Sequence, residues 1–309
     1  AATPQPVDEA ALTATLPEVT LDVELFYTER WMRAVQTVEI PNTTPDAWSE
    51  IVFNIPINHL PDAFYLDSLT VTLGAEVQQG TPPLIGTDTV LRVPLPRPTL
   101  PGETVAIELR YRVVIPPLPS TDWPPSGTTG WTFDLIQAGE WYPSLVPYIA
   151  GAGWLTWEYR PVGDPTVYPL VNCTLIVRTE PEVIVASGAA PSRDEDGAWR
   201  FRMERARGIA FLASDRYESV SGEANGIPVT STYLPDHAAA GQAALEIAIQ
   251  SLQLFEELYG PYPYGSLTVA ENGFFGGMEY TALASITDYA YLVYPGEAPS
   301  LLHALVAHE

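Results

Sequence analysis

Residues 104–114 read TVAIELRYRVV, in which Val105, Ile107, Leu109, Tyr111 and Val113 alternate with Glu108, Arg110 and Arg112. Successive side chains of a strand point to opposite faces, so this alternation places one face in a core and the other in water. The same period recurs on both sides. Leu21, Val23 and Leu25 alternate with Asp22 and Glu24, Ile51, Phe53 and Ile55 with Val52 and Asn54, and Trp199, Phe201 and Met203 with Arg200, Arg202 and Glu204. Many such runs between Pro, Gly and Asn clusters predict a mainly β chain, with a large antiparallel β-sandwich or saddle over residues 19–234. Asn225-Gly226, between two of the runs, is a hairpin signal. The prolines Pro116, Pro117, Pro119, Pro124 and Pro125 read as a long loop inside this domain, because strands of the same type continue beyond them.

The 309 residues are 46% hydrophobic and 17% charged, with no apolar run of membrane-spanning length. All 14 basic residues are arginine, and 38 acidic residues leave a formal charge of -24. That balance argues against nucleic acid and against an anionic membrane surface, and favours cationic partners. Arginine in place of lysine, with 31 prolines, fits a GC-rich or heat-adapted source. The single cysteine, Cys173, forms no internal disulfide and alternates with Val171, Leu175 and Val177, the pattern of a buried, inert thiol. Residues 1–18, rich in Ala, Thr and Pro, read as a flexible leader. Such a segment often follows a removed export signal, so an extracytoplasmic, secreted or cell-surface setting is expected.

The period changes at Pro235-Asp236. Asp236 is a good N-cap, and Leu245, Ala248, Leu252, Phe255 and Tyr259 recur at spacings of three and four until Gly260-Pro261. A strand from Leu267 to Ala270, the glycine-rich stretch Asn272 to Gly277, a strand around Thr281 to Thr287 and a helix from Pro299-Ser300 follow. A second domain is therefore predicted over 235–309. Its last helix ends without Gly or cap, which is expected of a truncated chain.

Two features there bear on chemistry. In Gly276-Gly277-Met278-Glu279-Tyr280, paired glycines let another backbone approach closely, as when a peptide adds to a sheet edge, and Glu279 could then pair with a cationic peptide N-terminus. Taken alone, a turn followed by a solvated glutamate is the plainer reading of the segment, since Gly-Gly pairs are common turn signals. His308-Glu309 on an apolar helix could open the zinc motif in which a second histidine follows one helical turn later, past Glu309. His303 is no substitute, since five residues along a helix turn it roughly 140° away.

The order of these elements, with Phe255-Glu256-Glu257-Leu258-Tyr259-Gly260-Pro261-Tyr262-Pro263-Tyr264 ahead of Gly-Gly-Met-Glu-Tyr and Val306-Ala307-His308-Glu309, resembles the zinc aminopeptidases of the membrane alanyl aminopeptidase family. Phe211 to Asp215 and Gly226 to Val229 resemble that family's junction between its β domain and its catalytic domain. The resemblance implies a thermolysin-like catalytic domain of which 235–309 is the first α/β part. It implies zinc as cofactor of the intact protein and peptides with free N-termini as substrates. Glu279 would hold the free amino group, with Gly276, Gly277 and Met278 along the substrate backbone. His308 would be the first zinc ligand and Glu309 the general base. Gln137 or Glu140 are candidates for the residue that the β domain lends to the amine site, although an ordinary loop is the plainer reading of 137–143. Trp131, Trp141, Trp154 and Trp157 read as packing rather than binding. Tyr280 stands where the best-known members have asparagine, which leaves strictness as an exopeptidase open. The remaining ligands would lie beyond Glu309, so the chain itself is expected to be inactive and to bind no zinc. The rival reading is a non-catalytic binding or scaffold module.

Overall fold

A computed structural model describes residues 12–80, 88–118, 128–156, 167–274 and 276–309. Most of the expected leader, part of the proline-rich loop, Trp157 and Phe275 lie outside them.

The chain is mainly β, and the alternating runs are strands. An eight-stranded sheet runs in the order Ser192–Arg193, Trp199–Ala206, Val171–Arg178, Glu18–Phe26, Trp31–Pro41, Thr104–Val114, Phe64–Leu73, Glu76–Gln79. Its pairs are antiparallel except Glu18–Phe26 against Val171–Arg178. Against it lie a three-stranded sheet containing Trp48–Asn54 and a four-stranded sheet in the order Ile184–Ser187, Phe211–Ser214, Leu135–Ala138, Thr129–Thr132. Leu21, Val23, Phe53, Ile107, Leu109 and Phe211 meet in one core between them. Burying a side chain of this size is worth about 1.5–3 kcal/mol, so these inward faces hold the layers together. Trp48–Asn54 departs from the expected alternation, since Val52 and Asn54 are buried as well. Cys173 is fully buried there. Trp141 is fully buried, its indole N–H donating to Ile209 O at 3.2 Å, while Trp131 and Trp154 pack on the edge of the same core.

The second unit is a five-stranded sheet in the order Glu218–Ala224, Ile227–Tyr233, Leu267–Asn272, Leu283–Thr287, Gly277–Tyr280. The Asn225-Gly226 turn has φ of 51° and 88°, the left-handed values a tight hairpin needs. This hairpin precedes the boundary read at 234–235, yet Ile227–Tyr233 pairs in parallel with Leu267–Asn272. Ala224, Val229 and Tyr233 share a core with the long helix. The hairpin thus shares a sheet with strands that follow the boundary read at 234–235, because a period of two says nothing about which sheet a strand joins.

The long helix, Ala238–Tyr259, crosses over between the two parallel strands, as a parallel pair requires. Gly260 ends it at φ 100°. Asp236 does not cap it. A 3₁₀ turn, Pro235–His237, intervenes, and Asp236 is drawn outward to Arg216 at 2.9 Å. A short helix, Asp288–Leu292, precedes the terminal helix Leu301–His308, which Ser300 caps through the His303 N–H. Leu302 and Val306 of the terminal helix bury against Ala244, Leu245, Ala284 and Ile286. The other face of the sheet, at Ala270 and Leu283, packs on Leu135, Ala186 and Leu212 of the β domain. The sheet is thus held between helices on one side and the β domain on the other. Among the described residues no helix is long and apolar enough to cross a membrane.

Candidate functional site

Gly277–Tyr280 is the edge strand of the five-stranded sheet, paired antiparallel, among the described residues, only with Leu283–Thr287. Gly276 enters it at φ 103°, its carbonyl accepting from Thr287 N at 2.8 Å. Gly277 and Glu279 lie opposite Ile286 and Ala284, whose side chains belong to the core under the helices. Met278 and Tyr280 lie opposite Ser285 and Leu283, on the face toward the β domain. The period of two therefore turns Glu279 to the helix side and Tyr280 to the β-domain side. Glu279 is exposed.

The terminal helix brings its end to the same strand. Glu309 N donates to Leu305 O at 3.0 Å, so the helical turn continues to the last residue. A Cβ built on Gly277 would collide with the Glu309 carboxylate. Glu309 is therefore against the backbone of the edge strand, roughly 7 Å along the strand from Glu279 and on the same face. His308 is exposed beside it. His303 is turned elsewhere, its Nδ1 2.7 Å from Ser300 Oγ and its ring 6.2 Å from that of Tyr294. The glycine pair and the His-Glu pair, read separately in the sequence, are thus brought together, and carboxylates at 279 and 309 make this face of the strand favourable to a cation.

The β domain reaches the strand from the opposite face. Gln137 Nε2 donates to Tyr280 Oη at 3.3 Å and to Thr128 O at 3.1 Å, while Gln137 Oε1 accepts from Ser285 Oγ at 2.8 Å. Ser285 Oγ in turn accepts from Asn272 Nδ2 at 2.6 Å. The Tyr280 hydroxyl also stands where a Cβ of Gly139 would be. Burial, and then the charge of Glu140, push the Tyr280 phenol up and keep it protonated. Glu140, at φ 50°, accepts from Tyr168 Oη at 3.0 Å. Ser285 and Asn272 were not foreseen as part of this region. Their one signal is that they are polar residues within short strands that are buried along almost their whole length.

A buried acid went unnoticed in the sequence. Glu271 is fully buried at the junction, accepting from Leu234 N at 2.8 Å and lying 2.8 Å from His237 Nδ1. Burial raises its pKa despite those two partners.

A catalytic zinc normally takes three protein ligands. Among the described residues no group of three or more His, Cys, Asp or Glu side chains could hold a metal ion. His308 has the chemistry of one ligand, and the residues present do not make a complete zinc site.

No family model matches the sequence, and no curated protein sequence matches it. Among solved structures, the chain is similar to the M1 zinc metallopeptidase from Deinococcus radiodurans, with a TM-score of 0.55 at 16% identity over 88% of this chain and 59% of that one. A point mutant of that protein matches with a TM-score of 0.57 at 15% identity over 88% and 60%. The same mutant bound to a Tyr-Ser-Ala substrate gives 0.56 at 16% identity over 88% and 60%. At these identities the likeness shows the fold, a β domain followed by the start of an α/β domain. The chain spans about three fifths of the length of those structures.

Proposed function

We propose that this chain is the N-terminal portion of a zinc-dependent aminopeptidase, the edge strand Gly277–Tyr280 taking the substrate backbone and the end of the terminal helix carrying part of the catalytic centre. The observation that carries this reading is the Glu309 carboxylate packed over Gly277, on the face of the strand that bears Glu279.

A peptide extended along the free side of the edge strand satisfies the strand's unpaired backbone groups, and the glycines at 276 and 277 leave no side chain to hold it off. Glu279 pairs with the substrate ammonium group, a charge-assisted contact that sets which peptide bond lies next to Glu309. The Glu309 carboxylate accepts a proton from the attacking water and returns it to the departing amine. His308 would be one ligand of a zinc ion whose remaining ligands come from further polypeptide, the ion supplying Lewis acidity at the scissile carbonyl. The -24 charge of the chain attracts cationic N-termini to the cleft.

The test is expression of the full reading frame, followed by elemental analysis and assay on amino-acid p-nitroanilides with free or acetylated amines. Bound zinc, hydrolysis of the free-amine substrates, and a loss of at least about 100-fold in Glu309→Gln with zinc retained are expected. A full-length protein with neither zinc nor hydrolysis would make the chain a binding or scaffold module instead.

A further inference from the structure

The edge strand carries its proposed ammonium-binding carboxylate on one face, and on the other it is bolted to the β domain. Gln137 is the centre of that bolt. Both N–H groups of its amide are engaged, one with Tyr280 Oη and one with Thr128 O, and its oxygen accepts from Ser285. It is 2% exposed. An amide so placed would have to abandon buried partners to meet a ligand, and leaving buried polar groups unpaired is costly.

The polarity of the network is consistent along its length. Asn272 donates to Ser285, Ser285 donates to Gln137, and Gln137 donates to Tyr280. Tyr280, Ser285 and Asn272 sit on three neighbouring strands of the sheet, so one side chain of the β domain holds two of them directly and reaches the third through Ser285. Gly139 makes room for the phenol: a side chain there would strike the Tyr280 hydroxyl. Phenol, glycine and amide fit as a set.

We propose that Tyr280 makes Gln137 a positioning residue rather than a ligand. The phenol and Ser285 hold the amide, the amide holds the edge strand at a fixed height above the β domain, and selection of the substrate ammonium is left to the carboxylate of Glu279 on the opposite face. This deepens the aminopeptidase reading and, in its selectivity part, rests on it.

Two measurements test it. In the 309-residue chain, the side-chain amide protons of Gln137, assigned by their loss in Gln137→Met, are expected to exchange at least about 100-fold more slowly than those of exposed Gln253. Tyr280→Phe should speed their exchange about tenfold or more while the backbone amides of the Ala238–Tyr259 helix stay unchanged. Exchange of Gln137 at the rate of Gln253 overturns the strut, whether or not the longer protein is a peptidase.

In the full-length protein, the readout is the ratio of kcat/KM for a free-amine dipeptide substrate to that for its N-acetyl counterpart. Gln137→Met is expected to lower Tm and leave this ratio within about threefold, whereas Glu279→Gln lowers it about tenfold or more. A ratio that collapses in Gln137→Met with Tm unchanged makes Gln137 a ligand and overturns the proposal. If the full-length protein cleaves neither substrate, the aminopeptidase reading and the assignment of selectivity to Glu279 fall together, and the exchange rates alone decide the strut.

Discussion

The carboxylate of Glu309 lies against the backbone of Gly277, in the space that the Cβ of any larger residue would take. These two residues end and begin different elements, a helix and an edge strand. Their contact is what brings the two motifs together. It also shows why glycine is needed at 277: the position faces the helix layer, and a side chain would push the acid off the strand.

Gly277→Ala is therefore expected to move the Glu309 side chain with little loss of fold. The obstacle is the flexible end of a carboxylate, so the change in stability should stay within about 1 kcal/mol. Gly188→Ala is the contrast, because a Cβ there meets the backbone carbonyl of Thr281 across the seam between the two units. That variant should lose about 2 kcal/mol or more. Denaturant melts of both, read by circular dichroism, check the difference, and equal losses would show that Glu309 is held rigidly.

Purified 309-residue chain is expected to contain no stoichiometric zinc by elemental analysis after dialysis. His308 offers one imidazole, and the described residues provide no set of three ligands around it. Tight one-to-one binding would mean that another group in the chain completes the site.

Glu279→Ala in the full-length protein should lower kcat/KM for free-amine peptides by about 10- to 100-fold, the worth of one hydrogen bond to a charged group. Peptides with a blocked N-terminus should change little. Equal loss on both substrates would remove the ammonium-binding role.

Glu271 gives stability a pH dependence of known sign. Burial raises its pKa in the folded chain, so folding favours the protonated carboxyl. That contribution is fully present below its ordinary value of 4.5 and is lost as pH rises through the raised one. Glu271→Gln keeps an oxygen for the Leu234 N–H and cannot ionise. The stability of the parent relative to this variant should accordingly fall as pH is raised from 4.5, followed by thermal melts at a series of pH values. A flat difference would show that the His237 pair cancels the cost of burial.

Cys173 is fully buried, and that burial raises its thiol pKa. A thiol reagent should leave the native chain untouched and label one site once the chain is denatured. Labelling of the native state would place the strand Val171–Arg178 in an opening region of the sheet.

Local pattern was enough to read the strands of the β domain, the long helix and its stop at Gly260, and the buried thiol, and to single out Gly276 to Tyr280 and His308-Glu309 as candidates. Each of those is written within a few residues, in a period of two or of three to four, or in a residue type suited to one task. Assignment of the Glu218–Tyr233 hairpin to the second sheet, the pairing of Gly277–Tyr280 with Leu283–Thr287 and the seating of Glu309 on Gly277 came only from the folded chain. The same holds for Gln137, which pairs with Tyr280 and Ser285 across separations of 143 and 148 residues. Periodicity says which face of an element is apolar. It carries no record of which distant element covers that face, because that is settled by packing and hydrogen-bond satisfaction among residues that meet only after the chain has closed on itself.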